Sequence, residues 1–260
     1  MQKRHNNPDE YFQESVLSSE KYYLPYVKEQ TDLPLDSSTN VLEVGCGFGG
    51  NLFPFAKLGC KVSGVDIDSR SIEIAKVSFS SRGVNAQFTY SDIHEYANEG
   101  KHDLIMLHDS IEHIHNKKEL MLRLQELLTD KGVLFIAFPA WYMPFGGHQQ
   151  VARTKFVSQC PFIHLLPRKL FIWLLRRLGE PEGVIRDFLD IRDTRMTIRD
   201  FERLCNDTKL EIKNRRLYFI NPHYEVKFGL KPRVLWKGIA CIPHVRDFFA
   251  TSCHYILQKK

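Results

Sequence analysis

An α/β fold, with a mostly parallel sheet covered by helices on both faces, is predicted from the order of the chain's patterns. Short apolar runs recur through the first 140 residues, and helix-sized stretches with apolar residues at three- and four-residue spacing separate them. Glycines crowd the turn after the first run. Continuous rather than alternating apolar runs belong to strands buried on both faces, which is the habit of parallel sheets.

The elements follow in order. An N-terminal helix is expected around Tyr22, Tyr23 and Tyr26, which can cover a ligand or simply pack. Residues 41–44 (VLEV) form the first strand, and 61–66 (KVSGVD) repeat it after a helix-sized gap. Asp68 and Ser69 then cap a segment whose Ile72, Ala75, Val77 and Phe79 fit a helix loosely. A third strand is placed at 86–90 and a fourth at 103–107 (DLIML). Leu120, Leu124, Leu127 and Leu128 mark a helix over 117–128, and 133–138 (VLFIAF) is the fifth strand. After Pro139 the pattern breaks into aromatic, proline-containing and basic stretches up to about Arg195, too long for a simple connection. We read it as an inserted helical cap. A helix resumes over 197–204, and 210–220 and 248–257 read as closing strands. The chain thus divides into a helical cover (1–37), a core (38–139), the cap (140–195) and a closing helix and strands of the same domain (196–260).

With 260 residues, 43% of them hydrophobic and 26% charged, the chain can bury a sizeable core, which excludes disorder, collagen and mini-protein scaffolds. The six cysteines contain no CxxC pair, so reduced thiols in a cytoplasmic protein are expected rather than a zinc knuckle or a disulfide framework. The polar start, MQKRHNN, lacks the apolar stretch of a secretion signal. The most apolar windows, 133–147 and 162–178, are broken by proline or basic residues and do not span a bilayer. Charge is uneven: residues 1–150 carry 14 basic and 20 acidic side chains, whereas 151–260 carry 22 and 11. An anionic partner is therefore sought in the second half.

The segment Glu43-Val44-Gly45-Cys46-Gly47-Phe48-Gly49-Gly50 follows a strand and opens a helix. Missing side chains there let a ligand approach the backbone, and helix N–H groups face it. Read as GxGxxG it is also a dinucleotide fingerprint. Asp66, at the end of the second strand, can accept hydrogen bonds from both ribose hydroxyls of an adenosine ligand, or cap the next helix. The loop and the acid are shared by nicotinamide-dependent oxidoreductases and by other adenosine binders, so these residues alone leave the class open.

Four motifs in order narrow it. VLEVGCGFGGN, VSGVDID, Ser91-Asp92-Ile93 and HDLIMLHDSIEHI resemble the successive motifs of the class I S-adenosylmethionine-dependent methyltransferases, over about residues 38–139. The resemblance implies a Rossmann-like sheet of seven strands, the seventh antiparallel between the fifth and sixth. It also implies S-adenosylmethionine as cofactor. Gly45, Gly47 and Gly49 would line its methionine and ribose portion, with Glu43 supporting the loop. Asp66 would take the ribose hydroxyls, Ile67 would pack on the adenine and Asp92 would hold its amine. Ile67 as plain core and Asp92 as a turn residue are the alternatives.

Asp109, Glu112 and His113 form a DxxEH cluster after the fourth strand, similar to the ExxEH arrangement of the small-molecule branch that includes ubiquinone-biosynthesis O-methyltransferases. The cluster can cap its turn, bond on the cofactor side through Asp109, orient substrate or ligate a hard ion; no metal site is expected. His148 ends a glycine-containing loop after the fifth strand, which can close over a ligand. An alcohol or phenol acceptor benefits from a base, and His113, His148 and, by position, His108 are the candidates.

Residues 151–179 hold six basic side chains and no acid, interleaved with large apolar ones. A solvated cap face, or peripheral contact with an anionic membrane or lipid-linked acceptor, fits this composition. No RNA- or DNA-binding motif accompanies the charge, so nucleic acid is not an expected partner. The expectation is a methyltransferase acting, most simply by O-methylation, on a small-molecule, lipid-linked or saccharide acceptor. An NAD-dependent oxidoreductase and a non-catalytic S-adenosylmethionine-binding protein are the rival classes.

Overall fold

The computed structural model describes residues 7–97 and 100–260. The polar start, apart from Asn7, lies outside the described residues. Asn7 caps α1 (Pro8–Ser18), its side-chain oxygen accepting the Glu10 N–H at 3.4 Å. A wide π-turn at Ser19–Tyr23 runs straight into α2 (Leu24–Gln30). Pro25 accounts for the widening: it has no N–H to donate and its ring crowds the carbonyl one turn earlier.

β1 (Asn40–Val44), β2 (Lys61–Asp66), β3 (Gln87–Tyr90), β4 (His102–His108) and β5 (Leu128–Phe138) pair in parallel in the order β3-β2-β1-β4-β5. They are joined by helices α3 (Phe53–Lys57), α4 (Ser69–Ser80) and α5 (Lys117–Leu127). Asp68 caps α4 as expected, accepting from the Arg70 and Ser71 N–H groups. Alternation at period two serves both faces of the sheet. Leu42, Ile105, Leu107, Leu134 and Ile136 enter one apolar cluster; Val41, Leu104, Met106 and Phe135 enter the other. α5 covers the first face, whereas α1, α2 and α4 cover the second.

β5 begins at Leu128, the last residue of the expected helix, rather than at 133. His102 pairs with Leu128, but Leu104 pairs with Val133. Residues 129–132, left between the expected helix and strand, are therefore an irregularity inside the strand.

The cap consists of α6 (Lys155–Gln159), α7 (Arg168–Arg177) and α8 (Glu182–Thr194) with short turns. It has its own apolar cluster of Val157, Ile163, Phe171, Leu175, Ile185 and Phe188. α9 (Ile198–Asp207) and β6 (Leu210–Ile220) follow. Next come α10 (His223–Phe228), β7 (Arg233–Val234), α11 (Lys237–Ala240), α12 (Val245–Phe249) and β8 (Ser252–Lys259). β8 lies antiparallel between β5 and β6, as the resemblance implies. The two-residue β7 adds an eighth strand at the edge, among the described residues, to the seven expected. The closing strand starts at Ser252 rather than 248. Asp247 is buried and accepts the Ile198 N–H at 3.2 Å, which holds Phe248 and Phe249 in α12 and out of the ladder.

α1 lies directly on the glycine loop. A Cβ at Gly50 would stand 2.6 Å from both the Phe12 carbonyl oxygen and the Ser15 Cβ. Gly50→Ala is therefore expected to destabilise the protein by about 1–3 kcal/mol, the usual cost of overpacking, and to expose α1 to proteases. Wild-type melting together with wild-type proteolysis would show that α1 yields without cost. No helix among the described residues is long and apolar enough to cross a membrane.

Candidate functional site

Chain order reverses between β1 and β4, and in open parallel sheets the crevice outside such a reversal takes the ligand. The glycine loop leaves β1 there, and the Asp109–His113 turn leaves β4. Gly45, Gly47 and Gly49 all have positive φ, at 70°, 51° and 80°, which side chains disfavour. A Cβ at Gly45 would stand 2.4 Å from Ser110 Oγ, so the two loops close on one another only because Gly45 has none. A Cβ at Gly47 would meet nothing within 4 Å; that side of the loop is open. Gly49 instead faces Phe79 and Phe88, and its lack of a side chain serves packing.

Asp66 accepts the Gly47 N–H at 2.8 Å and the Asp68 N–H at 2.9 Å, so it braces the loop from the end of β2. Ile67 is 73% exposed, which disposes of the core alternative. Asp92 is exposed and accepts the His94 N–H at 2.8 Å in a local turn, leaving oxygen lone pairs open. Glu43 is buried; Oε1 takes Asn51 Nδ2 at 2.8 Å and lies 3.2 Å from His108 Nδ1, while Oε2 has no hydrogen-bond partner.

Two cavities lie at this edge. One, of about 180 Å³, is lined by Gly45, Gly47, Tyr23 and His108 among others. The second, of about 430 Å³, is lined by His113, Phe145, His148, Tyr224 and Phe228. Tyr11, Asp109 and His223 line both, so the cavities adjoin at these three side chains.

This sorts the candidate bases. His108 is buried, stacks on Tyr23 at 4.3 Å and points to Glu43; it lines the glycine-loop cavity and not the second one, so it is a brace for Glu43. His113 and His148 face the second cavity with ring centroids 5.0 Å apart. Burial pushes both down, His148 to about 4 with help from His113 and His164, so each imidazole is neutral at physiological pH. The glycines expected to let this loop move are buried: a Cβ at Gly146 would meet the Trp141 carbonyl oxygen at 2.2 Å, and one at Gly147 the His164 Cβ at 2.3 Å. The loop is packed in place.

Asp109 takes a left-handed conformation (φ 47°), which Asp tolerates better than most side chains, and opens onto both cavities. The protein around it raises its carboxyl above the usual range. Glu112 is buried with neither carboxylate oxygen hydrogen-bonded, and burial, with the Asp109 charge, pushes it well above that range. His148 Nε2 lies 3.9 Å from Glu112 Oε1, beyond hydrogen-bond reach. One donor atom each from Glu112, His113 and His148 falls within 4.8 Å of the others, a set able to take a divalent ion. In that grouping His148 stands where the sequence cluster had Asp109.

A carboxyl whose folded pKa is raised binds its proton more tightly when folded, so its contribution to stability falls as pH rises from the ordinary carboxylate range toward the raised value. Glu112→Gln is expected to raise the melting temperature, and more at pH 8 than at pH 5. An equal change at both pH values would mean that Glu112 is not held neutral.

Three further residues of the site were not read from the sequence. Tyr11 and His223 line both cavities, and His223 Nδ1 lies 2.8 Å from Ser18 Oγ. Tyr224 lines the second cavity. Of the three tyrosines expected to cover the ligand, Tyr23 reaches a cavity, whereas Tyr22 donates to Glu225 and Tyr26 donates to Asn214 Oδ1 at 2.8 Å.

Residues 19–179 match a family model described as a methyltransferase domain. The chain is 26% identical over 140 residues to a ubiquinone biosynthesis O-methyltransferase of Bartonella tribocorum, a match covering 52% of this chain and 57% of that protein. A protein of the same description from Chelativorans sp. (strain BNC1) is 30% identical over 98 residues, covering 37% and 39%. The chain thus spans 57% and 39% of the length of these two curated relatives. Among solved structures, an S-adenosylmethionine-dependent methyltransferase from Clostridium acetobutylicum superposes with a TM-score of 0.58 at 12% identity, covering 94% of this chain and 92% of the other. Magnesium protoporphyrin IX methyltransferase from Synechocystis, with bound S-adenosylhomocysteine, gives 0.53 at 14%, covering 95% and 84%. At these identities the structural likeness speaks to the fold.

Proposed function

This chain belongs to the class I S-adenosylmethionine-dependent methyltransferases, and on that premise we propose that it transfers the cofactor's methyl group to a hydroxyl oxygen of a small-molecule, lipid-linked or saccharide acceptor. The observation that carries the reading is the pair of adjoining cavities, one floored by the glycine loop and the other lined by neutral histidines, joined at Tyr11, Asp109 and His223. The names of the curated relatives favour oxygen as the methylated atom.

The open side of Gly47 fits a ligand lying against the loop backbone, and Asp66, Ile67 and Asp92 would hold its ribose, adenine and amine. Bound S-adenosylmethionine supplies a methyl on a sulfonium sulfur, which in-line attack by the acceptor oxygen releases from the sulfur. The protein's task is to hold that oxygen about 3 Å from the methyl and to exclude water. His113 and His148, neutral at physiological pH, can accept the hydroxyl proton as the new C–O bond forms.

Residues 151–179 support an anionic, lipid-linked acceptor in part. Arg168 and Arg176 pair with Asp193 and Glu182, at 2.6 and 2.7 Å, so the cap neutralises some of its own charge. Trp173 stands 60% exposed beside Lys169, Ile172 and Arg177.

The test is calorimetric titration with S-adenosylmethionine, S-adenosylhomocysteine and NAD, followed by incubation of cell extracts with methyl-labelled S-adenosylmethionine. Binding of the first two and a labelled product are expected. Binding of NAD alone overturns the class, and cofactor binding without product from any extract favours a non-catalytic binder.

A further inference from the structure

Between β6 and β8 the chain carries a surface that, apart from Phe228 at the acceptor cavity, neither the cofactor nor the acceptor reading uses. Phe228 (58% exposed), Leu230 (50%), Val234 (58%), Trp236 (73%), Ile242 (48%) and Val245 (41%) stand out of it. Scattered exposed apolar residues are ordinary, but six large ones within 18 positions are not. No acidic residue occurs between Glu225 and Asp247, while Lys231, Arg233 and Lys237 are exposed among the apolar side chains.

The segment is anchored from beneath. The Leu235 N–H donates to the Leu217 carbonyl at 2.8 Å, Arg246 pairs with Glu202, and Asp247 holds the start of α9. A Cβ at Gly238 would stand 2.8 Å from the Trp236 ring, so the indole lies over a residue with no side chain to cover it. Phe228 also lines the acceptor cavity, so this surface begins where that cavity opens.

We propose that residues 228–245 dock the enzyme on an anionic lipid bilayer at the opening of the acceptor cavity. Charge selects this occupant. A symmetric contact with a second copy would set the cations of one patch against those of the other, with no acid within the patch to offset them. An anionic headgroup layer neutralises Lys231, Arg233 and Lys237, and Trp236 and Phe228 suit the boundary between headgroups and acyl chains. The patch is distinct from 151–179, and the inference rests on the proposed function only for what the cavity would take from the membrane.

Tryptophan fluorescence separates the two surfaces, because the chain has three tryptophans and Trp141 is buried. In full-length Trp173→Phe the exposed reporter is Trp236; in Trp236→Phe it is Trp173. Phosphatidylglycerol/phosphatidylcholine vesicles at low ionic strength should shift Trp236 emission to the blue, and brominated acyl chains should quench it. Phosphatidylcholine alone, or raised salt, should not support this. The triple variant Lys231→Glu, Arg233→Glu, Lys237→Glu should bind anionic vesicles about 100-fold more weakly, each basic side chain near such a surface being worth roughly a factor of five. The glutamine versions at the same positions serve if the glutamates unfold. Vesicle binding with Trp236 unshifted and unquenched overturns the proposal and assigns the contact to the cap. Absence of binding at low salt, or a stable dimer by light scattering that shields Trp236, overturns it as well. Cofactor titration without vesicles reads the proposed function separately.

Discussion

Asp66→Ala is expected to weaken S-adenosylmethionine binding by about 10- to 150-fold, the factor that corresponds to roughly 1.5–3 kcal/mol for hydrogen bonds to a charged group. Two losses combine in it. In the proposed pose the ribose hydroxyls would lose their acceptor, and the Gly47 and Asp68 N–H groups, now 2.8 and 2.9 Å from the carboxylate, lose theirs. Calorimetry reads the sum. Melting of the ligand-free protein reads the second part, because the brace on the loop is present without cofactor. Asp66→Asn keeps one acceptor oxygen and should fall between Ala and wild type. Unchanged affinity in Asp66→Ala would remove Asp66 from the cofactor site and leave it as a structural brace.

Removing the base is expected to cost about 100-fold or more in the methyl-transfer step. The comparison is His113→Ala, His148→Ala and the double variant in single-turnover reactions with the acceptor found by extract labelling. Cofactor affinity and melting behaviour serve as the controls for packing. The pH profile carries a second signature. Burial holds both imidazoles below their ordinary range, His148 at about 4, so they stay neutral as pH falls through 6.5 and protonate only further down. The acidic limb of the wild-type rate profile should lie below 6.5, at about 4 where His148 is the base, and should change in the variant that lacks the base. Near-normal rates in all three variants would leave positioning and water exclusion as the whole of catalysis and direct attention to His223, which lines both cavities.

The parallel half of the molecule was legible because each strand is apolar on both faces. Val41 and Leu42, or Phe135 and Leu134, enter opposite clusters, and that double burial produces the continuous runs by which the strands were read. The glycine loop was legible because its conformation is expensive for any other residue. The rest depended on contacts between distant segments, which leave no local pattern. Phe248 and Phe249 read as the start of a strand, yet the buried Asp247 beneath them holds a helical turn. Gly146 and Gly147 read as a hinge, but what requires glycine there is the close approach of Trp141 and His164. His223 and Tyr11 sit in no motif. They became site residues only when α10 and α1 brought them to the end of β4, and no neighbouring residue announced it. The exposed patch around Trp236 also escaped notice, because the exposure of Val234, Trp236 and Ile242 is a property of the folded chain and apolar side chains in sequence read as core.

The ties between α1, the π-turn and α10 join segments that lie some 200 positions apart in the chain. Ser18 reaches His223 across 205 positions, Lys21 reaches Glu225 across 204, and Tyr22 reaches the same Glu225 across 203. Contacts of such separation form late, after the loop between them has closed. A nascent chain that has completed the whole parallel sheet still has one wall of the proposed cofactor cavity missing. Tyr11 waits for His223, which is made more than 200 residues later. On the proposed site, the consequence is that cofactor capture reports the docking of α10 against α1. Intermediates that retain every strand through β5 but lack these contacts should hold the ligand poorly, and the ligand in turn should selectively stabilise the state in which α10 is docked.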